Sequence, residues 1–176
     1  MSKYAHGPYH YLHYASGGSD YREHVQTVLG FIDEIQPPPN AIADMGAGEG
    51  LMVDLLTRKF GNSVGVVGFE IDPLALALAR GLGNYVIGES MTVARPDCDM
   101  FLFLDVLEHV KEWKKALVWP LERAQTIIIA VPDREDPHAV HSDRLPEIIK
   151  FIGPRFHAEM TWKGHSRDGV VLTRDW

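Results

Sequence analysis

The sequence predicts a single α/β domain built around a doubly wound parallel sheet. Four short apolar runs, at residues 40–45, 64–70, 100–104 and 126–131, have the length and composition of buried strands. Stretches with apolar residues at helical spacing separate these runs. Strands that alternate with helices form parallel sheets with helices on both faces. The first run ends in a glycine-rich turn, at the edge where such sheets bind their ligands.

Residues 1–19 precede the first predicted helix and are rich in tyrosine and histidine. Glycine and proline interrupt them, so the pattern predicts neither a helix nor a strand. Three interpretations stay open: a lid that closes over a ligand and supplies aromatic contacts, a metal site made by His6, His10 and His13, or a tail that packs on the domain. The chain is therefore divided into this N-terminal lid or tail and one domain at 20–176.

The first helix of the domain is predicted from Ser19 or Asp20, either of which can cap it, to the prolines at 37–39. Strand one follows, and a second helix is predicted from Glu49 to Phe60. Both helices carry an apolar stripe at helical spacing. The stripe residues are Val25, Val28, Leu29, Ile32 and Ile35 in the first helix, and Leu51, Met52, Leu55, Leu56 and Phe60 in the second.

The remaining elements continue the alternation. Asp72 is predicted to cap a helix that Pro73 opens, and a helix is predicted from near Val110, in which Pro120 must start a new turn or produce a kink. Two closing strands end the chain. The ranges are helix 74–82, strand 85–87, strand 100–104, strand 126–131, helix 145–152, and strands 155–161 and 169–173.

Composition limits the classes of function. The chain has 176 residues and a net charge of -7 at pH 7, which argues against a surface dominated by contacts to nucleic-acid phosphates, although a local basic patch stays open. Cys98 is the single cysteine, so neither an intramolecular disulfide nor a cysteine metal cluster is available. No apolar run of membrane-spanning length and no signal peptide is seen, so we expect a cytoplasmic protein without membrane contact; no oligomeric state is predicted.

Charge indicates what the glycine turn at 46–50 binds. It reads G-x-G-x-G with Glu49 inside it, whereas a dinucleotide fingerprint reads G-x-G-x-x-G and a P-loop contains Gly-Lys-Ser/Thr. A carboxylate in the turn would repel a pyrophosphate, and no lysine or arginine lies between Glu23 and Thr57 to offset it. The turn therefore suits a cationic ligand without phosphate, such as S-adenosylmethionine, which carries a sulfonium and an ammonium group.

Three motifs in order resemble those of the class I S-adenosylmethionine-dependent methyltransferases: Asp44–Gly50, Val67–Asp72 and Asp105–Val110. The third is similar to the motif of a subset that includes ubiquinone-biosynthesis O-methyltransferases. The resemblance covers residues 20–176 and implies a seven-stranded sheet of order 3-2-1-4-5-7-6 with strand seven antiparallel. The cofactor-binding residues that it implies are Asp44, Gly46, Gly48, Gly50, Glu70, Ile71, Glu89, Ser90 and Asp105.

Two of these residues have roles that their chemistry also supports. Asp44 ends strand one, where its carboxylate would hold the cofactor's ammonium group, or would only fix the glycine turn by accepting backbone N–H groups. Glu70 ends strand two, where it would accept both ribose hydroxyls, or would be a solvated strand end. The resemblance places Glu89 beside the adenine amino group, with a side chain one methylene longer than the usual aspartate.

Asp105, Glu108 and His109 follow strand four and allow three interpretations. His109 would be a general base for a hydroxyl acceptor, because its unperturbed pKa lies near neutrality. Alternatively, the three residues and a later histidine, His138 or His141, would bind a divalent metal. A similar set is seen in small-RNA 2′-O-methyltransferases, which carry glutamate in place of Asp105. In the third interpretation Glu108 and His109 only fix the loop under the cofactor.

The sequence therefore predicts an S-adenosylmethionine-dependent methyltransferase that O-methylates a small molecule. The alternatives are a metal-dependent RNA 2′-O-methyltransferase and a cofactor-binding module without catalytic activity. Because the loops after strands four and five are neighbours in the implied order, an acceptor-side cluster is also predicted there. It consists of His109 with Asp133, Asp136, His138 and His141, and a plain polar loop is its alternative.

Overall fold

The computed structural model describes residues 7–16, 19–133, 145–164 and 167–174. Its centre is a seven-stranded sheet of order β3-β2-β1-β4-β5-β7-β6, which confirms the predicted topology. β1 to β5 run parallel to one another, and β7 pairs antiparallel with both β5 and β6. The strands are β1 (Ala41–Met45), β2 (Gly65–Glu70), β3 (Val86–Gly88), β4 (Met100–Leu104), β5 (Thr126–Pro132), β6 (Phe156–Gly164) and β7 (Arg167–Arg174).

Six α-helices accompany the sheet within the described ranges, together with two short 3-10 turns at Leu107–His109 and Gly153–Arg155. The predicted cap of one helix is confirmed, because Asp72 Oδ1 accepts the N–H groups of Leu74 at 2.8 Å and Ala75 at 3.2 Å. The helices are α1 (Tyr9–Ala15), α2 (Ser19–Glu34), α3 (Leu51–Phe60), α4 (Pro73–Leu82), α5 (Trp113–Arg123) and α6 (Leu145–Ile152).

The central strands are buried on both faces, as their unbroken apolar runs predict. Phe101 and Phe103 of β4 face one core, where side chains of α5 and α6 cover them. Met100 and Leu102 alternate with them and face a second core beneath α2 and α3. No described helix is both long and apolar enough to cross a membrane. The two cores place the carboxyl ends of β1 and β4 side by side, where the strand order reverses and ligands of such sheets bind.

Two sequence predictions need correction. Residues 9–15, for which neither helix nor strand was predicted, form α1, which a distant side chain stabilises as described below. Pro120, predicted to start a new turn or produce a kink, lies within α5, so of these two alternatives the new turn is wrong. The segment still stays helical beyond Pro120, because burial of Trp113, Ala116 and Leu117 on the core side stabilises a helix independently of one missing N–H donor.

Candidate functional site

Two carboxylates lie at the carboxyl ends of adjacent strands. Asp44 is 4% exposed near the end of β1, and its backbone is in register with Gly68 of β2 and Leu102 of β4. Glu70 ends β2. Burial, followed by the negative charge of Glu70, raises the pKa of Asp44 to about 7. A cation bound between the two side chains would relieve this repulsion, so the pair favours a ligand with a positive charge or hydroxyl donors.

The glycine loop, residues 46–50, is anchored to β2. The N–H groups of Gly46 and Ala47 donate to the carbonyl of Phe69 at 2.8 and 3.0 Å, and Gly48 N–H donates to Glu70 Oε2 at 2.9 Å. Gly46 has a φ of 92°, and a Cβ on it would lie 2.3 Å from Val106 Cγ2. Only glycine fits this position, since both the backbone and the neighbouring loop exclude a side chain.

The other carboxylate oxygen of Glu70 holds the start of the next loop. Oε1 accepts the N–H groups of Ile71 at 2.6 Å and Asp72 at 2.9 Å. Ile71 is 68% exposed, which is high for a large apolar side chain beside a buried sheet. Glu89 is exposed and follows β3, and Ser90 Oγ lies 3.0 Å from Thr92 Oγ1. An apolar side chain flanked by polar groups on neighbouring loops suits a flat heterocycle such as adenine.

Asp105 follows β4 with a strained backbone, at a φ of 53°. Its Oδ2 accepts a hydrogen bond from Arg167 Nε on β7. Its Oδ1 is buried and has no hydrogen-bond partner among the described residues. A buried carboxylate oxygen of this kind needs a donor, which a ligand with hydroxyl or amino groups would supply. Strain and an unsatisfied acceptor at the switch point both indicate a binding site.

Glu108 and His109 lie in the 3-10 turn after β4. Glu108 is buried, whereas the side chain of His109 is 37% exposed. His109 Nε2 lies 3.7 Å from Glu108 Oε1, an ion-pair distance rather than a hydrogen bond. His109 is therefore partly exposed, in the turn that follows β4.

Only part of the predicted metal site lies among the described residues. Asp105, Glu108 and His109 are described, but within the ranges that the structure covers no group of three or more metal-binding side chains comes together. His141, the fourth candidate, lies outside those ranges, as do His138, Asp136 and His6. Of the predicted acceptor-side cluster, only His109 and the exposed Asp133 are described.

Glu49 has a role that the sequence interpretation missed. Its side chain is 0% exposed. Its Oε1 accepts the backbone N–H groups of His10 and, at 3.2 Å, of Tyr11, and its Oε2 lies 2.8 Å from His10 Nδ1. Burial opposes its ionisation, but these contacts outweigh burial and lower the pKa of Glu49. Glu49 is therefore a buried, ionised carboxylate that holds α1 on the glycine loop.

Tyr21, at the start of α2, is a second site residue that the sequence analysis did not identify. Its ring stacks on that of His10, with centroids 5.8 Å apart and an angle of 16° between the planes. The guanidinium carbon of Arg167 lies 5.8 Å from the same ring centroid. Burial first, and then the charges of Asp105, Glu49 and Asp44, raise the pKa of its hydroxyl well above the ordinary range. No local motif marks Tyr21, because all these neighbours are distant in sequence.

Comparison with protein-family models gave no match, and comparison with curated proteins gave none either. Solved structures are similar in fold. Magnesium protoporphyrin IX methyltransferase from Synechocystis PCC 6803, with bound S-adenosylmethionine, superposes with a TM-score of 0.72 at 16% identity, covering 89% of this chain and 80% of that one.

The PH0226 protein from Pyrococcus horikoshii OT3 gives a TM-score of 0.73 at 12% identity over 99% of this chain and 100% of that chain. A small RNA methyltransferase gives a TM-score of 0.68 at 17% identity, over 88% of this chain but only 25% of its own length. These likenesses agree with the strand order of the sheet. The chain has the fold of the class I S-adenosylmethionine-dependent methyltransferases.

Proposed function

We propose that this protein is an S-adenosylmethionine-dependent methyltransferase that transfers a methyl group to an oxygen atom of a small-molecule acceptor. The observation that carries the proposal is the pair of carboxylates, Asp44 and Glu70, which flank the glycine loop at the ends of adjacent strands. Their combined negative charge suits the cofactor's ammonium and ribose hydroxyl groups, and would repel a phosphate. The residues present thus fit this cofactor.

Each cofactor-binding residue has a role that its position supports. Asp44 binds the ammonium group, and Glu70 accepts a ribose hydroxyl at its remaining acceptor site while it keeps its hydrogen bond from Gly48. Ile71 packs on the adenine ring, with Glu89 and Ser90 at its polar edge. The buried oxygen of Asp105 accepts a donor from the ligand. The glycines at 46, 48 and 50 let the backbone approach the ligand closely.

The bound cofactor supplies a methyl group that is already electrophilic, so the protein mainly needs to align the acceptor and to remove its proton. We assign proton removal to His109, which follows β4 and is accessible at the carboxyl edge of the sheet. The acidic balance of the chain supports a small acceptor over RNA. Methyltransferases of both kinds are among the structures with this fold.

Calorimetric titration with S-adenosylhomocysteine tests the cofactor site, with NADH titrated in parallel. We expect S-adenosylhomocysteine to bind and NADH to leave the heat unchanged; the reverse would refute the proposal. A methyl-transfer screen with small phenols, small acids and RNA oligonucleotides then tests the acceptor. Transfer to RNA alone would overturn the small-molecule assignment, and tight cofactor binding without transfer to any acceptor would identify a non-catalytic binding module.

A further inference from the structure

The N-terminal helix α1 is held on the glycine loop by one carboxylate. It begins after Pro8, whose side chain makes no capping hydrogen bond, and a helix of 7 residues is too short to be stable alone. Glu49 replaces the missing cap across 38 and 39 residues of sequence, by accepting the N–H groups of Tyr11 and His10. Asn84 Nδ2 adds a second link, since it donates to Glu49 O at 2.8 Å and to the Tyr11 hydroxyl at 2.9 Å.

This contact places His10 against Tyr21. His10 Nδ1 lies 2.8 Å from Glu49 Oε2, and the His10 ring stacks on the ring of Tyr21. The guanidinium carbon of Arg167 lies 5.8 Å from the centroid of the same ring, and its Nε donates to Asp105, which follows β4. Tyr21 is thereby held between the glycine loop after β1 and the loop after β4, which is where the strand order reverses.

We propose that Tyr21 is a cofactor-contacting residue, whose hydroxyl donates a hydrogen bond to the amino-acid carboxylate of bound S-adenosylmethionine, and that Glu49 and His10 are positioning residues that hold it there. The inference rests on the proposed function. The amino-acid end of the cofactor carries a carboxylate as well as an ammonium group. Asp44, Glu70 and Asp105 can serve the cation and the hydroxyls, but they repel this carboxylate, so it needs a donor.

Tyr21 is placed to meet this need, because its ring lies against His10 and Arg167. Burial raises the pKa of its hydroxyl, and Asp105, Glu49 and Asp44 are close enough for their charges to raise it further. Like any tyrosine hydroxyl it is a neutral donor at neutral pH. Arg167, the cation beside the same ring, is ion-paired with Asp105 through Nε. In the proposed contact the phenol hydroxyl of Tyr21 supplies a donor to the carboxylate without adding charge to the site.

Two ligands separate this contact from a general effect on the site. S-adenosylhomocysteine has the amino-acid group, whereas 5′-methylthioadenosine has the same adenosine and thioether without it. We expect Tyr21→Phe to lower the affinity for S-adenosylhomocysteine by about tenfold or more, as loss of a hydrogen bond to a charged group predicts. The affinity for 5′-methylthioadenosine should stay within about twofold of the wild-type value. Tyr14→Phe is the matched control, because Tyr14 lies on α1 and its hydroxyl accepts from Gln26 Nε2 at 2.6 Å.

Glu49→Gln tests the positioning role. We expect the amides of residues 9–15 to exchange hydrogen faster than in the wild type without any ligand, and the same selective loss of S-adenosylhomocysteine affinity as in Tyr21→Phe. Equal weakening of both ligands would show a general disruption and refute the positioning role. Equal affinity of Tyr21→Phe and wild type for S-adenosylhomocysteine would refute the contact alone, while failure of the wild type to bind it would refute the proposed function and with it this inference.

Discussion

Gly48 N–H donates to Glu70 Oε2 at 2.9 Å, so the glycine loop after β1 is fastened by the side chain that ends β2. The other oxygen of the same carboxylate accepts two N–H groups of the following loop. Glu70 therefore fixes two loops before any ligand binds. These three hydrogen bonds leave one of the roughly four acceptor sites of the carboxylate, on Oε2, and a ribose hydroxyl would use it, so one residue combines preorganisation with binding.

Glu70→Ala should lower the affinity for S-adenosylhomocysteine by about tenfold to a hundredfold, because it removes both the carboxylate that accepts from the ribose and the anchor of Gly48. Glu112→Ala is the control, since Glu112 is exposed and its nearest ion-pair partner, Lys115, is 3.9 Å away. Calorimetry on both variants measures the difference. Equal affinities in the two variants would contradict the assignment of Glu70.

Asp44 should make both stability and cofactor binding depend on pH. Its pKa is about 7 in the folded protein and 3.8 ordinarily, so between these values the folded state retains a proton that the unfolded chain has released. The free energy of unfolding without ligand should therefore fall as the pH rises from about 4 to 7. Binding of an ammonium group needs the ionised carboxylate, so affinity should rise over the upper part of this range.

Asp44→Asn should remove this contribution. Compared with the wild type, its melting temperature without ligand should fall less between about pH 5 and pH 8, and its affinity for S-adenosylhomocysteine should be low at both values. Thermal denaturation and calorimetry at the two pH values give the comparison. Identical pH profiles of the variant and the wild type would show that Asp44 does not titrate in this range.

Gly46→Ala should abolish cofactor binding and lower stability by about 1–3 kcal/mol or more, because the φ of 92° is strained for alanine and its Cβ would meet Val106. Gly30→Ala provides the control. Gly30 lies within α2 with nothing within 4 Å of an added Cβ, so alanine should stabilise the protein by about 0.5–1 kcal/mol. Urea denaturation of both variants shows whether each substitution lowers or raises the free energy of unfolding. An unchanged free energy of unfolding in Gly46→Ala would contradict the packing of this loop.

His109→Ala should retain S-adenosylhomocysteine affinity and lose about a hundredfold or more in turnover with the acceptor identified by the screen, since general-base catalysis contributes that much. His157→Ala is its control, because His157 is exposed on β6 with Glu159 and Thr173 as neighbours. Activity with and without EDTA separates the base from a metal ligand. Full turnover of His109→Ala would place the acceptor side elsewhere.

The regular framework was predictable from local signals. The apolar runs of β4 and β5 and the Asp72 cap are encoded within a few residues, and the structure has them at or within about two residues of the predicted positions. The strand order came from the resemblance of three motifs and is confirmed. Asp44, Glu70 and Asp105 could be placed at one edge because parallel strands align their carboxyl ends.

The contacts among α1, α2 and the glycine loop could not be predicted. Glu49 and His10 are 39 residues apart, and Asp105 and Arg167 are 62 apart, so neither contact leaves a local spacing to recognise. The helical state of residues 9–15 depends on that distant carboxylate more than on propensity. Glu49 was therefore interpreted from its charge alone, although tertiary structure determines which partner that charge meets.

Because Glu49 belongs to the loop that cradles the cofactor, α1 and the cofactor share one support. On the proposed function, this support couples the N-terminal helix to the cofactor site. A ligand that stabilises the glycine loop would then also stabilise α1, and a variant that releases α1 would weaken ligand binding by the same free energy, since such coupling is reciprocal. The buried carboxylate of Glu49 would thus make the state of the N-terminal helix depend on whether the site is filled.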